Sequence, residues 1–197
     1  MIIYLDTETS SLRPGKICQL SYVMQTSDSV TAKNFFFSVA YVEPSAQAVH
    51  GFSVEKLKEL SCGKKFIDNV IEIEEDFLSA SLIIAHNTAF DFSFLRKEFE
   101  ETGRLFRYKN DFCSMKKFTP VLKLKRANSL GYKYPKLCEL TAFFGVSDQE
   151  INIETKRLFE KNLLFHDARY DTTAVYLTVN RAMENLEDFK FLKQELV

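Results

Sequence analysis

The chain has 197 residues, of which 46% are hydrophobic and 27% are charged, and its formal net charge is −1. This composition is ordinary for a globular protein, and the 19 Phe and 8 Tyr residues exclude a low-complexity disordered chain. Because the chain has almost no net charge, any nucleic-acid site must depend on a local patch or on a metal.

The length fits one domain that spans residues 1–197. No apolar stretch approaches the ~20 residues of a membrane span, and no basic segment precedes the apolar start at Met1–Leu5. The four cysteines have neither C-x-x-C nor zinc-site spacing. We therefore expect a cytoplasmic protein with reduced thiols, no membrane segment and no signal peptide.

Apolar runs bounded by turn residues predict five strands, over Ile2–Glu8, Ile17–Gln25, Thr31–Tyr41 and Leu82–Ala85 and within Phe106–Cys113. The first three are expected to form an antiparallel meander that Pro44 ends. Helices are predicted over Ser53–Leu60, Phe66–Ser79, Ala89–Glu101, Lys136–Phe144 and Ala168–Leu186. Three strands followed by alternating strands and helices favour an α/β domain with a mixed sheet.

Two carboxylates lie on the first predicted strand. Asp6 and Glu8 share a face with Tyr4, because residues two apart on a strand point the same way. Their repulsion is relieved either by a hard cation such as Mg²⁺ or Mn²⁺ or by solvent at the strand end. The spacing alone does not decide between these interpretations, because other acidic pairs in the chain have it too.

Three further residues have both a functional and a structural interpretation. Asp91 shares a helix face with Phe94 and Leu95, and Asp171 opens the last predicted helix. A carboxylate turned toward a core needs a partner or a metal, but an acidic residue in a first helical turn is also favoured by the helix dipole. His166 lies five residues before Asp171 and either accepts a proton from a nearby water or simply flanks the helix.

Taken together, these segments resemble the DEDDh 3′→5′ exonucleases. The matching motifs are Asp6–Thr9, His86–Leu95 and His166–Asp171, in the family's order and spacing, with Val49–Phe52 similar to an element between the first two. Within the family, the chain resembles the proofreading epsilon subunits of bacterial DNA polymerase III. The resemblance implies a ribonuclease H-like mixed five-stranded sheet flanked by helices.

The resemblance also implies a mechanism. Asp6, Glu8, Asp91 and Asp171 would hold two Mg²⁺ or Mn²⁺ ions, and His166 would deprotonate the attacking water. DNA would then be hydrolysed from its 3′ end to nucleoside 5′-monophosphates, in proofreading or repair.

The family suggests four residues that contact the substrate, namely Thr9, Leu12, His50 and Asn87. Leu12 would lie under the terminal base, although plain core packing is its alternative. One departure is that Ser10 and Ser11 follow Thr9, where the family often has a glycine that permits close backbone approach.

A basic stretch is the candidate track for a single strand. Residues 112–138 contain seven Lys or Arg and no Asp or Glu. Lys133 and Lys136, which flank Tyr134, are the leading candidates within it. A solvated loop is the alternative interpretation.

Alternative functions remain open at this point. The same chemistry fits an exoribonuclease that trims RNA, similar to ribonuclease T or oligoribonuclease, and the decision depends on the fit of the 2′-hydroxyl. A non-catalytic nucleic-acid-binding polymerase accessory is less favoured, because the five motif residues are intact. The short segment after Leu186 fits either a stand-alone enzyme or a DNA polymerase subunit that docks differently.

Overall fold

A computed structural model describes residues 1–12, 15–127, 130–160 and 167–196. Five strands form one sheet in the order β3-β2-β1-β4-β5. Their bounds are β1 (Ile2–Thr9), β2 (Ile17–Gln25), β3 (Val30–Phe36), β4 (Leu82–Ala85) and β5 (Asp111–Cys113). The first three strands are antiparallel neighbours, and β4 and β5 run parallel to β1. The predicted mixed five-stranded sheet is confirmed.

Helices cover both faces of this sheet. They are α1 (Pro44–His50), α2 (Val54–Leu60), α3 (Val70–Ser79), α4 (Thr88–Glu101), α5 (Ser114–Leu122), α6 (Leu137–Phe143), α7 (Asp148–Phe159) and α8 (Ala168–Asn185). Short 3₁₀ segments span Phe66–Asp68 and Glu187–Leu196. Within the described ranges, no helix is both long and apolar enough to cross a bilayer.

The alternation of β1 separates two hydrophobic cores. Ile2 and Tyr4 point to one face, where they join a core that includes residues of α8. Ile3 and Leu5 point to the other face, where they join a core that includes residues of α3 and α4. The central strand is therefore covered on both sides, and its carboxyl end is the part left for polar residues.

The segment after β2 departs from its prediction in two places. The third strand ends at Phe36 rather than Tyr41: the amide of Phe37 still pairs with the carbonyl of Cys18 in the β2 register, but the amide of Ser38 then donates to the carbonyl of Lys64. Pro44 does not simply break the chain but opens α1, where the missing amide hydrogen of proline costs nothing.

Later elements also differ from the expectations. The helix predicted over Phe66–Ser79 is interrupted at Asn69, whose φ of −120° separates a 3₁₀ turn from α3. Helices α5 and α7 were not predicted, although Ser147 caps α7 by accepting a hydrogen bond from the amide of Glu150. The last strand is confined to Asp111–Cys113.

Both described chain ends lie where β1 and β4 begin. The amine of Met1 donates to the carbonyl of Glu195 at 2.8 Å, and the amide of Ser81 donates to the carbonyl of Met1. The amide of Ser27 donates to the carbonyl of Leu196. The ends are thus at the opposite edge of the sheet from the carboxyl ends of β1 and β4.

We expect Phe118→Ala to lower the free energy of unfolding by about 3–5 kcal/mol, because it empties a fully buried site among the rings of Phe112, Phe144 and Phe189. Phe191→Ala is the matched control, since this ring is 53% exposed and its loss should cost no more than about 0.5 kcal/mol. Urea unfolding of both variants measures the difference. Equal losses would contradict the assignment of this core.

Candidate active site

The carboxyl end of β1 presents two acidic side chains on one face. Asp6 lies opposite Ser21 of β2 in the sheet register, and Glu8 lies opposite Gln19. The register shifts between Glu8 and Thr9, so regular pairing is disturbed directly after the second carboxylate. A bulge of this kind redirects the chain at the end of a strand.

Helix α8 brings a third carboxylate to the same place. Asp171 lies in the first turn of α8 and is buried, while Thr172 fastens the helix to β2 through a hydrogen bond from its hydroxyl to the carbonyl of Ser21 at 3.1 Å. One carboxylate oxygen each from Asp6, Glu8 and Asp171 lies within 4.8 Å of the others. This set is called the carboxylate cluster below.

Asp91 lies beside this cluster rather than within it. It is buried in the first turn of α4, and its Oδ1 accepts a hydrogen bond from the hydroxyl of Thr7 at 2.9 Å. Thr7 stands between the two acidic residues of β1 but points to the opposite face of the strand. Asp91 thus reaches the end of β1 from the α4 side of the sheet.

Burial and mutual repulsion hold these carboxyl groups toward their neutral forms. Burial first, and then the charge of Asp171, raises the pKa of Asp6 well above its usual range and that of Glu8 to about 9. Burial raises the pKa of Asp91 to about 7, although the hydrogen bond from Thr7 opposes the rise.

This donor set fits a divalent cation. Carboxylate oxygens that converge from different elements are the ligands preferred by hard ions such as Mg²⁺ and Mn²⁺. A bound cation would also remove the repulsion that raises the pKa of Asp6 and Glu8.

A buried polar network holds the start of α8. The amide of Gln19 donates to Asp167 at 2.9 Å, and its oxygen accepts from the backbone of Ala168. Arg169 binds Asp167 through two hydrogen bonds of 2.9 and 2.7 Å, and its guanidinium lies over the ring of Phe36. Bidentate pairing fixes orientation as well as distance, so the network sets the direction in which α8 leaves the sheet.

Two adjoining cavities open beside the cluster. The smaller, about 260 Å³, is lined by Glu8, Thr9 and His50, and the larger, about 870 Å³, is lined by Asn87. Leu12 and Phe90 line both cavities and so mark their boundary. Leu12 is 70% exposed, which excludes the core-packing alternative for this residue.

The other two predicted substrate residues have specific local geometry. The backbone amide of Phe52 donates to Nδ1 of His50, so the ring proton is on Nε2, which lies 3.3 Å from the carbonyl oxygen of Thr9. His50 thereby ties α1 to the end of β1. Asn87 precedes α4 with a φ of 93°, a left-handed conformation that asparagine tolerates better than most residues.

The loop after β1 has Ser10 and Ser11 where the family often has a glycine, and it is held by local contacts. The hydroxyl of Ser10 accepts a hydrogen bond from the amide of Lys16, and the two residues also pair through their backbones. Gly15 provides the close approach, because a Cβ there would lie 2.2 Å from the carbonyl oxygen of Ser11. Position 15 therefore requires a glycine for the backbone to pass this close to Ser11.

His166 lies outside the described residues. Sequence reasoning also missed several residues that position the site, chiefly Thr7, Gln19 and Arg169. Gln19 had a detectable signal, because it is a polar residue inside an apolar strand, whereas nothing in the local sequence marks Thr7 as the partner of Asp91.

The fold can be compared with those of solved structures. Solved structures of exonuclease I share the fold: one has a TM-score of 0.75 at 16% identity over 98% of this chain and 43% of its own. Escherichia coli exonuclease I in complex with a dA16 oligonucleotide has a TM-score of 0.73 at 17% identity, again over 98% of this chain and 43% of its own. The chain thus has the ribonuclease H-like exonuclease fold.

The family follows from the sequence comparison. The family model RNase_T, described as exonuclease, matches residues 3–178, and the chain belongs to this exonuclease family. DNA polymerase III subunit epsilon of Rickettsia felis is 33% identical over 105 residues, which are 49% of this chain and 43% of that protein. The Salmonella typhimurium subunit is 29% identical over 134 residues, 63% of this chain and 52% of its own. The matches span about half the length of these relatives.

The raised pKa values predict that the metal-free protein loses stability as the pH rises. A carboxyl that binds its proton more tightly when folded favours folding below its unfolded pKa, 3.8 for Asp91 and 4.5 for Glu8. This contribution is lost as the pH rises through the folded values of about 7 and about 9. Thermal unfolding in EDTA should therefore occur at lower temperature at pH ~9 than at pH ~5, and saturating Mg²⁺ should restore most of the difference.

Asp6→Asn is the control for this experiment, because it removes one charge from the cluster and leaves the remaining titrating groups in place. Its metal-free melting temperature should fall less with pH, and Mg²⁺ should raise it less. An identical pH profile in both proteins would contradict a coupled cluster.

Proposed function

We propose that this protein is a metal-dependent 3′→5′ exonuclease that hydrolyses DNA from the 3′ end to nucleoside 5′-monophosphates in proofreading or repair. The observation that supports it most directly is the convergence of Asp6, Glu8 and Asp171 within 4.8 Å in a chain of the exonuclease family.

Asp6, Glu8 and Asp171 would hold the divalent cations, two Mg²⁺ or Mn²⁺, and Asp91 would complete the set from the α4 side. When bound, these ions neutralise phosphate charge and stabilise the developing charges of the displacement. Binding should strengthen as the pH rises, because the carboxyl groups must lose their protons before they can act as ligands.

His166 would accept the proton of the attacking water. It precedes Asp167, the residue that caps α8, so it lies next in sequence to the segment that the polar network orients. The water oxygen forms a bond to phosphorus and the bond from phosphorus to the 3′ oxygen breaks. The released nucleotide keeps its 5′-phosphate, and the shortened strand gains a 3′-hydroxyl.

The adjoining cavities would hold the terminal nucleotide. Leu12 and Phe90 would contact the base face, and the backbone of Thr9 would lie against the sugar and phosphate. His50 would act chiefly by holding Thr9, since both of its ring nitrogens have partners inside the protein. Asn87 would contact the substrate from the wall of the larger cavity.

We favour DNA over RNA as the substrate. The curated relatives are named as DNA polymerase III subunits, and a structural neighbour binds an oligodeoxynucleotide. By the same relationship, a DNA polymerase subunit is the proposed protein partner, and the cytoplasm is the proposed location.

The decisive test is degradation of 5′-labelled single-stranded DNA and RNA of the same sequence in Mg²⁺, Mn²⁺ or EDTA. We expect a ladder that shortens from the 3′ end of DNA and disappears in EDTA. Asp6→Ala should reduce the rate by about 10³-fold or more, because the ions contribute several kcal/mol to the transition state.

Asp188→Ala is the matched control, because this exposed aspartate follows α8 at the far edge of the sheet. It should retain the wild-type rate. Faster shortening of RNA than of DNA would replace the proposed substrate. Activity in Asp6→Ala equal to that of the control would refute the assignment of the cluster.

His166→Ala should lower the rate by about 10²–10⁴-fold, the usual contribution of a general base. Its affinity for DNA, measured with Ca²⁺ in place of Mg²⁺, should change much less. A rate close to that of the wild-type protein would rule out the proton-accepting role.

A further inference from the structure

We propose that a Lys–Tyr surface, formed by Lys123, Lys125, Arg126, Tyr132 and Tyr134, binds the single strand upstream of its 3′ terminus. The inference extends the proposed function, since it concerns nucleotides that have not yet reached the carboxylate cluster. It implies that affinity depends on strand length, which the terminal-nucleotide site alone does not explain.

Backbone contacts give this surface a defined shape. Lys125 and Tyr132 face each other in an antiparallel bridge, and the amide of Lys133 donates to the carbonyl of Leu124 at 2.8 Å. Nε of Arg126 donates to the carbonyl of Tyr132 at 3.0 Å. The two arms, within residues 123–127 and 130–136, therefore hold their cationic and aromatic side chains close together.

The charge of the surface is available to a ligand. Lys123, Lys125 and Arg126 are exposed, and none of them forms an ion pair with another described residue. Lys133 differs, because its ammonium pairs with Glu139 at the start of α6. This pair makes Lys133, one of the two leading lysine candidates, a residue that fixes the loop to α6.

The aromatic groups add a second kind of contact. Tyr132 is 41% exposed and Tyr134 is 52% exposed, so both side chains are accessible to a ligand beside the lysines. Proteins that bind single strands without sequence preference combine a cationic groove with aromatic rings on which bases stack. The pairing of these two features favours a single strand over a purely acidic ligand.

A contact between Pro135 and His86 ties the surface to the edge of the sheet that bears the candidate active site. Pro135, which follows Tyr134, is buried, and its carbonyl lies 3.0 Å from Nε2 of His86. Nδ1 of His86 lies 3.0 Å from the hydroxyl of Ser114. His86 directly follows β4 and precedes Asn87, which lines the larger cavity. The surface is therefore fixed to the same edge of the sheet as the cluster.

The test compares two strand lengths by fluorescence anisotropy on full-length Asp6→Asn protein, which should bind without degrading the probe. The probes are oligothymidylates of about 20 nucleotides, longer than the usual site of a single-strand-binding fold, and of three nucleotides. Replacing both tyrosines by alanine should weaken binding of the long probe about 10-fold or more. Binding of the trinucleotide should change less than about twofold, because it is confined to the terminal site.

Two further variants separate stacking from charge. Replacing both tyrosines by phenylalanine keeps the rings and should keep most of the affinity for the long probe. Replacing Lys123 and Lys125 by alanine should make the plot of log affinity against log salt concentration less steep by about 1.4. Each phosphate contact contributes about 0.7 to this slope on a single strand. Melting temperatures establish that each variant is folded.

Phe191→Ala combined with Lys193→Ala is the matched control. Both residues are exposed on the C-terminal 3₁₀ segment, at the opposite edge of the sheet, and their loss should not change either affinity. The proposal is overturned if the tyrosine variant weakens both probes equally, or weakens neither.

The outcomes distinguish this inference from the proposed function. If the wild-type protein shortens DNA and the tyrosine variants keep the affinity for the long probe, the surface is refuted and the proposed chemistry stands. If the wild-type protein fails to shorten DNA but the tyrosine variants lose the length-dependent binding, the chemistry is refuted and the surface is supported.

Discussion

Repulsion among buried carboxylates at the end of β1 is the constraint on which this structure depends. Asp6 and Glu8 are neighbours on one face of a central strand, and the first turn of α8 brings Asp171 to them. Buried like charges oppose the folded state unless they are protonated or share a cation. The fold must therefore hold carboxylates that repel one another at short distances.

The surrounding hydrogen bonds provide that restraint. The network of Gln19, Asp167 and Arg169 orients the start of α8, and the hydroxyl of Thr172 ties the helix to β2. On the other face, Thr7 holds Asp91 against β1. These contacts fix the backbones that bear the carboxylates, which is the arrangement expected of a preorganised site.

Local pattern accounts for much of this architecture, and tertiary contact accounts for the rest. The five strands follow from apolar runs bounded by turn residues, and the shared face of Asp6 and Glu8 follows from the two-residue alternation of a strand. The end of β3 at Phe36 does not follow from local pattern, because the amide of Ser38 bonds a carbonyl far along the chain, that of Lys64. Nor could the sequence indicate that Asp91 would bond Thr7, or that Glu139 would take up the charge of Lys133, since both pairs depend on how helices dock.

The placement of the chain ends has a practical consequence. Met1 and the segment that ends at Leu196 meet at the edge where β1 and β4 begin, far along the strands from the carboxylates. A fluorophore, a surface linker or a fused protein attached at either end would therefore project away from the carboxylate cluster. Because the two ends are neighbours, they could also be joined by a short linker and the chain reopened in a surface loop, which would give a circular permutant with the same sheet.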